Sequence, residues 1–423
     1  MDITDVDAID FWRSGPILKD PYPYYEALRE RCPVHREPHE GVVMITGYDE
    51  SLEVYRDPDT WSAANSVTGP FPGFPVPLVG DDVTELIEKY RDELPFSDQL
   101  PTFDPPKHTA HRGLTMRMLT PNRLKENEAA IGGIADRQLD EFIEDGACEF
   151  VSAFASPFAM LVIADLLGVP DEDLPEFREQ LVAIKGFGQG QGQQMAHTPL
   201  EFLYEKFSAY ISDRRQSPRA DIMTKMAQAT FPDESTPEVL DVVRVAANLF
   251  SAGQETTVRL LAATLYFLAE RPELQDALRA DPAAIPNFVD EVLRIESPIK
   301  GDFRVARVPT TVGGVEIEPG TTVMLLNGAI NRDPRKFEDP AVLDPQRANA
   351  REHMAFGHGT HFCPGAPLAR TEGRIALERI LQRTRHIRIS DEQHGPAGER
   401  KLRYAPTYML RGLIALHLDF EPA

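Results

Sequence analysis

Hydrophobic positions along most of this chain recur with the spacing of an α-helix. The strongest run is residues 238–269, EVLDVVRVAANLFSAGQETTVRLLAATLYFLA, whose apolar side chains extend around much of the helical circumference. A helix that is apolar on most sides packs inside a protein rather than at its surface. Pro272, just beyond the run, is a typical helix stop. The pattern therefore predicts one long core helix.

Shorter helical patterns cover residues 22–31, much of 121–183 and the stretch after residue 363. Four short segments are richer in β-formers, and they predict strands: GVVMITGY, GGVEIEPGTTVMLLNGAI with a turn at Pro319 and Gly320, HIRIS, and LIALHLDF. No stretch has the composition of a linker between domains. We predict a mainly α fold with small β-sheets, built as a single domain over residues 1–423.

Two segments interrupt the regular patterns. Residues 65–101 are rich in proline and glycine and predict a long loop, which in a compact domain is usually a lid or a binding loop. Residues 185–199, KGFGQGQGQQMAHTP, contain four glycines in eight residues and break any helix. They predict either a solvent-exposed linker or a hinge between two moving helices.

Composition narrows the setting of the protein. The chain has 423 residues, 67 of them acidic and 44 basic, for a net charge of −23, which argues against nucleic acid and anionic membranes as partners. Three scattered cysteines fit a reducing compartment, and we find neither a signal peptide nor an apolar run long enough to span a bilayer. We expect a soluble, cytoplasmic monomer.

The stretch FGHGTHFCPG holds one of the three cysteines, Cys363, among glycines and histidines. A buried structural thiol is one interpretation. A zinc site is another, but it needs four ligands, and His358, His361 and Cys363 lack a CxxC or HxxxH partner. A third is an axial thiolate, because a helix N-terminus after Cys363 favours the ionised sulfur and glycines allow a bulky cofactor to approach.

The ten residues of this stretch resemble the haem-binding loop of the cytochrome P-450 superfamily, the haem-thiolate monooxygenases, in its soluble bacterial form. The resemblance extends over essentially the whole chain. It implies the cytochrome P-450 fold, with haem b between the long core helix and the cysteine loop with its following helix. Cys363 would be the axial ligand of the haem iron, and four residues would contact the haem: Phe356, Gly357, Gly365 and Ala252.

Three further motifs carry the same resemblance. In EVLR, Glu291 and Arg294 would join Arg347 in a structural charge network. In SAGQETT, Glu255 and Thr256 match the acid and alcohol that deliver protons to bound dioxygen, although a threonine within a helix often bonds its own backbone.

The third motif, DPPKHTAHR, supplies partners for the two haem propionates. The resemblance assigns these to His108, Arg112, His361 and Arg304, the last in preference to Arg307. The remaining histidines considered, namely His35, His39, His197 and His353, are expected to be ordinary satisfied polar residues. Pro364 departs from many bacterial relatives, which have an aliphatic residue there, and its missing N–H removes one possible donor to the sulfur.

The resemblance implies an enzyme that uses dioxygen and two electrons to hydroxylate a hydrophobic small molecule of the terpenoid, steroid or alkyl-aromatic class. The apolar residues of the 65–101 loop favour such a substrate. Electrons would come from a ferredoxin and its NAD(P)H-dependent reductase, received by Arg117, Arg123, Arg370 and Arg374. A peroxygenase and a haem sensor are alternatives, but neither needs the Glu255–Thr256 pair.

Overall fold

The computed structural model describes residues 3, 5–182 and 198–423, so the linker or hinge predicted over 185–199 lies almost entirely outside the described residues. Helices dominate this part of the chain. They are α1 (Gly15–Lys19), α2 (Tyr22–Arg31), α3 (Tyr48–Arg56), α4 (Thr84–Tyr90), α5 (Lys107–Met118), α6 (Pro121–Asp140), α7 (Ser156–Leu167), α8 (Leu174–Val182), α9 (Thr198–Gln216), α10 (Ile222–Ala227), α11 (Val239–Ala269), α12 (Pro272–Ala280), α13 (Ile285–Ile295), α14 (Asn327–Ile330), α15 (Ala366–Arg383) and α16 (Asp391–His394).

The strands are short and form small sheets. They are β1 (Val34–Arg36), β2 (Val43–Ile45), β3 (Trp61–Ser62), β4 (Ala147–Glu149), β5 (Asp302–Ala306), β6 (Thr310–Val312), β7 (Val315–Ile317), β8 (Thr322–Leu325), β9 (Thr384–Ile389) and β10 (His417–Pro422). The largest sheet has the order β1-β2-β8-β5-β3 and is antiparallel except for the β2–β8 pair. The others are β4-β10-β9 and the β6–β7 ribbon. The predicted mainly α architecture is confirmed.

The predicted core helix is α11, and it lies at the centre of the larger hydrophobic core. A capping box between Glu238 and Asp241 starts it, and it packs against α7, α9 and α15. Its buried residues occur on most sides, as expected for a helix enclosed by others. None of the helices in the described residues is long and apolar enough to cross a membrane.

The structure changes two of the predicted segments. The 65–101 region is irregular only in part, because TELIEKY forms α4. Ile87 of this helix is buried in a small hydrophobic cluster with Val83, Leu94 and Val305 of strand β5. The predicted strand-turn-strand at 313–330 is present, with Gly320 at φ +80°, but its two strands do not pair with each other. β7 pairs with β6, whereas β8 lies between β2 and β5. Local patterns reveal strands but not their long-range partners.

Candidate active site

A cavity of about 290 Å³ separates α11 from the cysteine loop and the start of α15. α5 and β5 close its sides. Ala252, Gly253 and Thr256 line it from α11, and Cys363 lines it from the opposite loop. The fold thus brings together the segments that the sequence placed around the cofactor, and leaves space between them.

The cysteine loop is shaped by two glycines in the left-handed region, Gly357 at φ +64° and Gly359 at φ +66°. At Gly359 a Cβ atom would lie 2.1 Å from the carbonyl oxygen of Tyr55, so no side chain fits there. Gly365 differs, since its φ of −79° suits any residue. The Cys363 amide donates to the Phe356 carbonyl at 2.9 Å and closes the loop.

The Cys363 sulfur experiences opposing influences. Burial raises the pKa of the thiol, and this outweighs the N–H groups of Gly365 and Ala366 and the charge of Arg112, which lower it. The helix N-terminus that the sequence pointed to is present, with α15 beginning at Ala366. It does not overcome desolvation, so the net shift in the pKa of the Cys363 thiol is upward.

Four cationic or donor side chains gather on one side of the cavity: His108, Arg112, Arg304 and His361. The two imidazole rings lie 4.1 Å apart between centroids, and Arg112 donates to the Phe362 carbonyl at 2.6 Å. Burial, together with Arg112, lowers the pKa of His108 to about 4, and burial lowers that of His361 far below its usual value. His108 Nδ1 is buried and unpaired among the described residues. None of the four side chains forms an ion pair with a described residue, and a pair of carboxylates would complete the cluster.

Arg307, the alternative to Arg304, is occupied elsewhere. Its guanidinium donates to Asp104 at 2.7 Å, and it does not line the cavity, whereas Arg304 does. His35 and His353 bind Asp7 and Asp290, and His39 binds a carbonyl, so these histidines have ordinary polar partners. His197 lies outside the described residues.

The charge network behind the cavity is buried. Arg294 donates to both oxygens of Glu291 at 2.7 Å, and both side chains have 0 % exposure. Arg347 Nε donates to Glu291 Oε1 at 3.1 Å. Arg294 also donates to three backbone carbonyls, so it ties α13 to the segment that leads into the cysteine loop.

The residues on α11 that resemble a proton-delivery pair have other partners in this conformation. Thr256 lines the cavity, but its hydroxyl donates to the Ala252 carbonyl at 2.8 Å. Glu255 forms an ion pair with Arg259, one turn along the helix, and is not among the residues lining the cavity. Delivering a proton into the cavity would require both side chains to leave these partners.

Sequence reasoning missed a buried pair beside them. Thr257 donates to Glu372 on α15 at 2.9 Å, and both side chains line the cavity. Burial raises the pKa of Glu372 to about 8, while the Thr257 hydroxyl lowers it. The signal was present, because Glu372 lies four residues from both Leu368 and Ala376 on the apolar stripe of α15.

No group of three or more His, Cys, Asp or Glu side chains converges to hold a metal ion within 3, 5–182 and 198–423. His358 and His361 thus provide no zinc site with Cys363. The sulfur stands as a single protein ligand facing a cavity with a propionate-binding side. That donor set fits haem, which needs one axial ligand and partners for two carboxylates.

Comparison with known proteins agrees with this geometry. The sequence model of the family described as "Cytochrome P450" matches residues 189–407. Cytochrome P450 144 of Mycobacterium tuberculosis is 32% identical over 91% of this chain and 87% of its own length. By these matches the chain belongs to the cytochrome P450 family, and it is a haem b-dependent monooxygenase.

Solved structures show the same fold. Substrate-free CYP150A6 of Mycobacterium marinum superposes with a TM-score of 0.94 at 51% identity, covering 99% of this chain and 100% of that one. CYP109E1 of Bacillus megaterium, solved with testosterone, superposes with a TM-score of 0.78 at 28% identity, covering 95% and 99%. The predicted superfamily and fold are confirmed.

Proposed function

We propose that this enzyme hydroxylates a hydrophobic small molecule with electrons from a ferredoxin and its NAD(P)H-dependent reductase. The observation that carries the proposal is that Cys363 and Thr256 line one cavity from opposite sides. Cys363 would hold the haem iron, and His108, Arg112, Arg304 and His361 would hold the propionates. When bound, the haem supplies the activation of dioxygen.

The cavity wall beyond the haem-facing residues supports the proposed substrate class. Leu100, Ile163, Leu249 and Ile299 present apolar side chains, which favour a hydrophobic guest. A terpenoid, steroid or alkyl-aromatic compound fits such a wall. The testosterone bound by the related CYP109E1 supports a guest of this size and character.

Glu255 and Thr256 would control proton entry. Thr256 is positioned to donate into the cavity once its hydroxyl rotates away from Ala252, and Glu255 is partly exposed, with 31% of its side chain accessible. A carboxylate that reaches solvent on one side and a hydroxyl on the other is suited to relay protons. Arg259 holds Glu255 in the resting position.

Electron entry is proposed near Arg117. Of the four arginines considered from the sequence, Arg370 binds Asp290, Arg374 binds Glu128 and Glu378, and Arg123 binds the Leu166 carbonyl. Arg117 is exposed and forms no ion pair with a described residue. The exposed side chains of Met116 and Phe362 add apolar contact area, Phe362 being next to Cys363.

An experiment with isotopically labelled dioxygen tests the proposal. The haem-loaded enzyme, a ferredoxin, its reductase and NADPH are incubated with a panel of apolar compounds. One labelled oxygen atom in the product supports a monooxygenase. Product formed only with added peroxide identifies a peroxygenase, and haem reduction without any product identifies a sensor.

The electron-entry site has its own variant test. Arg117→Glu should slow reduction of the haem about tenfold at low salt and less at high salt, because it repels an acidic partner. Arg388→Glu is the matched control, since Arg388 is exposed on β9 away from the cavity lining. Equal rates in the two variants would reject Arg117 as the docking point.

A further inference from the structure

One polar side chain in the apolar part of the cavity has no role in the mechanism described above. Asn248 lies on α11 and lines the cavity together with Ala252 and Thr256. The three are spaced four residues apart and therefore form one stripe along the helix. At a rise of about 1.5 Å per residue, Asn248 is about 12 Å from Thr256 along the helix axis.

A chain of hydrogen bonds fixes the Asn248 carboxamide. Its Nδ2 donates to Gln99 Oε1 at 3.3 Å, and Gln99 Nε2 donates to the Tyr204 hydroxyl at 2.5 Å. Tyr204 in turn donates to Asp98 at 2.8 Å. Burial raises the pKa of Tyr204, so its proton stays in place. Gln99 Nε2 also donates to Asp98 Oδ1 at 3.2 Å, and the Asp98 carboxylate, which can only accept, sets the direction of the whole chain.

This network joins three separate parts of the fold, namely helix α9, helix α11 and the loop that precedes α5. Gln99 is 3% exposed, which means that its amide orientation is held by protein partners rather than by water. Asn248 is only half-buried, and its Oδ1 and second Nδ2 hydrogen have no partner among the described residues. The free groups belong to a side chain on the cavity wall, where a guest would meet them.

The surroundings of Asn248 select a neutral guest. Leu249, next to Asn248, and Leu100, next to Gln99, line the cavity and are apolar. The closest cation on α11, Arg244, is compensated by Asp98 and Asp241 at 3.4 Å each. On α11, no arginine near Asn248 in the described residues is left to pair with a carboxylate, which would also be desolvated at some cost. A carbonyl or hydroxyl needs only a hydrogen bond.

We propose that Asn248 anchors an uncharged oxygen of an otherwise apolar substrate, and that Gln99 and Tyr204 are positioning residues that orient it. This inference rests on the proposed hydroxylation of a hydrophobic molecule and specifies its substrate further. The guest carries a ketone or hydroxyl at one end and is oxidised near the other, roughly two helical turns away, or about 12 Å. A polycyclic skeleton of the steroid type spans such a length.

The test measures dissociation constants by calorimetry for matched probes on the haem-loaded enzyme. The probes are androstanone, androstanol and the parent hydrocarbon androstane, together with the corresponding ketone, alcohol and hydrocarbon of a terpenoid and a linear alkane. For at least one skeleton, the wild type should bind an oxygenated member about five- to tenfold more tightly than the hydrocarbon, as one net hydrogen bond provides. Asn248→Leu should abolish that preference while still binding the hydrocarbon.

Two further variants separate anchoring from general effects on the cavity. Ser66→Ala removes another polar side chain that lines the cavity and should keep the preference. Tyr204→Phe removes one of the two acceptors of Gln99 Nε2 and leaves Asp98. It should reduce the preference about two- to threefold without changing hydrocarbon affinity, which a merely structural role would not do.

An unchanged preference in Asn248→Leu, or its absence for every skeleton in the wild type, would overturn the proposal. Failure of all probes to bind would instead reject the hydrophobic substrate class, and the anchor with it. The oxygen-labelling result remains the separate test of the monooxygenase reaction.

Discussion

Two glutamate–arginine pairs lie on opposite sides of the cavity, and each is formed within one helix. Glu291 and Arg294, on the cysteine side, are both 0% exposed. Glu255 and Arg259, on α11, are 31% and 8% exposed. The first pair is locked by Arg347 and by backbone carbonyls, whereas the second has no comparable set of partners in the described part of the chain. The pair on the cysteine side is therefore held by more contacts than the pair on α11, and the proposed proton delivery would use this difference.

The largest difference between the two pairs is expected in protein stability when the acid of each pair is removed. Glu291→Ala leaves Arg294 as an uncompensated buried charge and should lower the free energy of unfolding by about 3–5 kcal/mol. Glu255→Ala, the matched control, should lower it by about 1 kcal/mol or less, because Glu255 is partly exposed. Urea unfolding of both variants measures the difference. Equal decreases in the free energy of unfolding would show that the two pairs contribute equally to stability.

The buried acid that links the two sides, Glu372, should make stability depend on pH. Its pKa is about 8 in the folded protein against 4.5 for an unperturbed glutamate, so the folded state holds the proton more tightly. The stabilisation is complete below pH 4.5 and is lost as pH rises through 8. Between pH 5 and pH 8 the free energy of unfolding should fall by about 3–4 kcal/mol through Glu372 alone.

The variant Glu372→Gln isolates this contribution, since glutamine keeps a polar group for Thr257 but does not ionise. Unfolding free energies of the two proteins are compared at pH 5 and pH 8. We expect the unfolding free energy of the variant to increase relative to that of the wild type as the pH rises. A constant difference between them across this range would contradict a raised pKa.

Thr256→Ala sharpens the functional half of the comparison. It removes the hydroxyl that would donate into the cavity but leaves the cysteine side intact. Reductant consumption should continue, while the fraction recovered as hydroxylated product falls about tenfold and peroxide is released instead. Thr257→Val serves as a comparison at the neighbouring position. Full coupling in Thr256→Ala would remove this residue from proton delivery.

The smallest expected effect concerns Pro364. The sulfur already accepts hydrogen bonds from the backbone N–H groups of Gly365 and Ala366. Pro364 has no N–H and cannot add another. Pro364→Leu would supply one and should raise the reduction potential of the haem iron. We expect tens of millivolts, since a hydrogen bond is worth about 1 kcal/mol and 59 mV corresponds to about 1.4 kcal/mol. A potential that stays equal or falls, with the thiolate retained, would count against the idea.

Features that depend on local sequence patterns could be predicted, and most of those that depend on tertiary packing could not. The long apolar run predicted α11, and the glycines around Cys363 predicted a tight loop before α15, because both are local patterns. The contact of Arg347 with Glu291 followed from motif resemblance. By contrast, the ion pair of Glu255 with Arg259 was missed although it is local, since a rotamer choice among nearby partners is not encoded in a motif.

Long-range contacts account for most of what remained hidden. Thr257 meets Glu372 across 115 positions of sequence, and Asn248 meets Gln99 across 149. Such pairs depend on how helices pack, which periodicity does not specify. The pairing of β7 with β6 rather than β8 has the same origin.

The most direct test of the account is the absorption spectrum of the haem-loaded, reduced protein with carbon monoxide bound. With Cys363 as the axial ligand, the spectrum should show the red-shifted band characteristic of thiolate ligation. Cys363→His should convert it to the ordinary band of histidine-ligated haem. A histidine-type band in the wild type would contradict the assignment of Cys363 and, with it, the proposed mechanism.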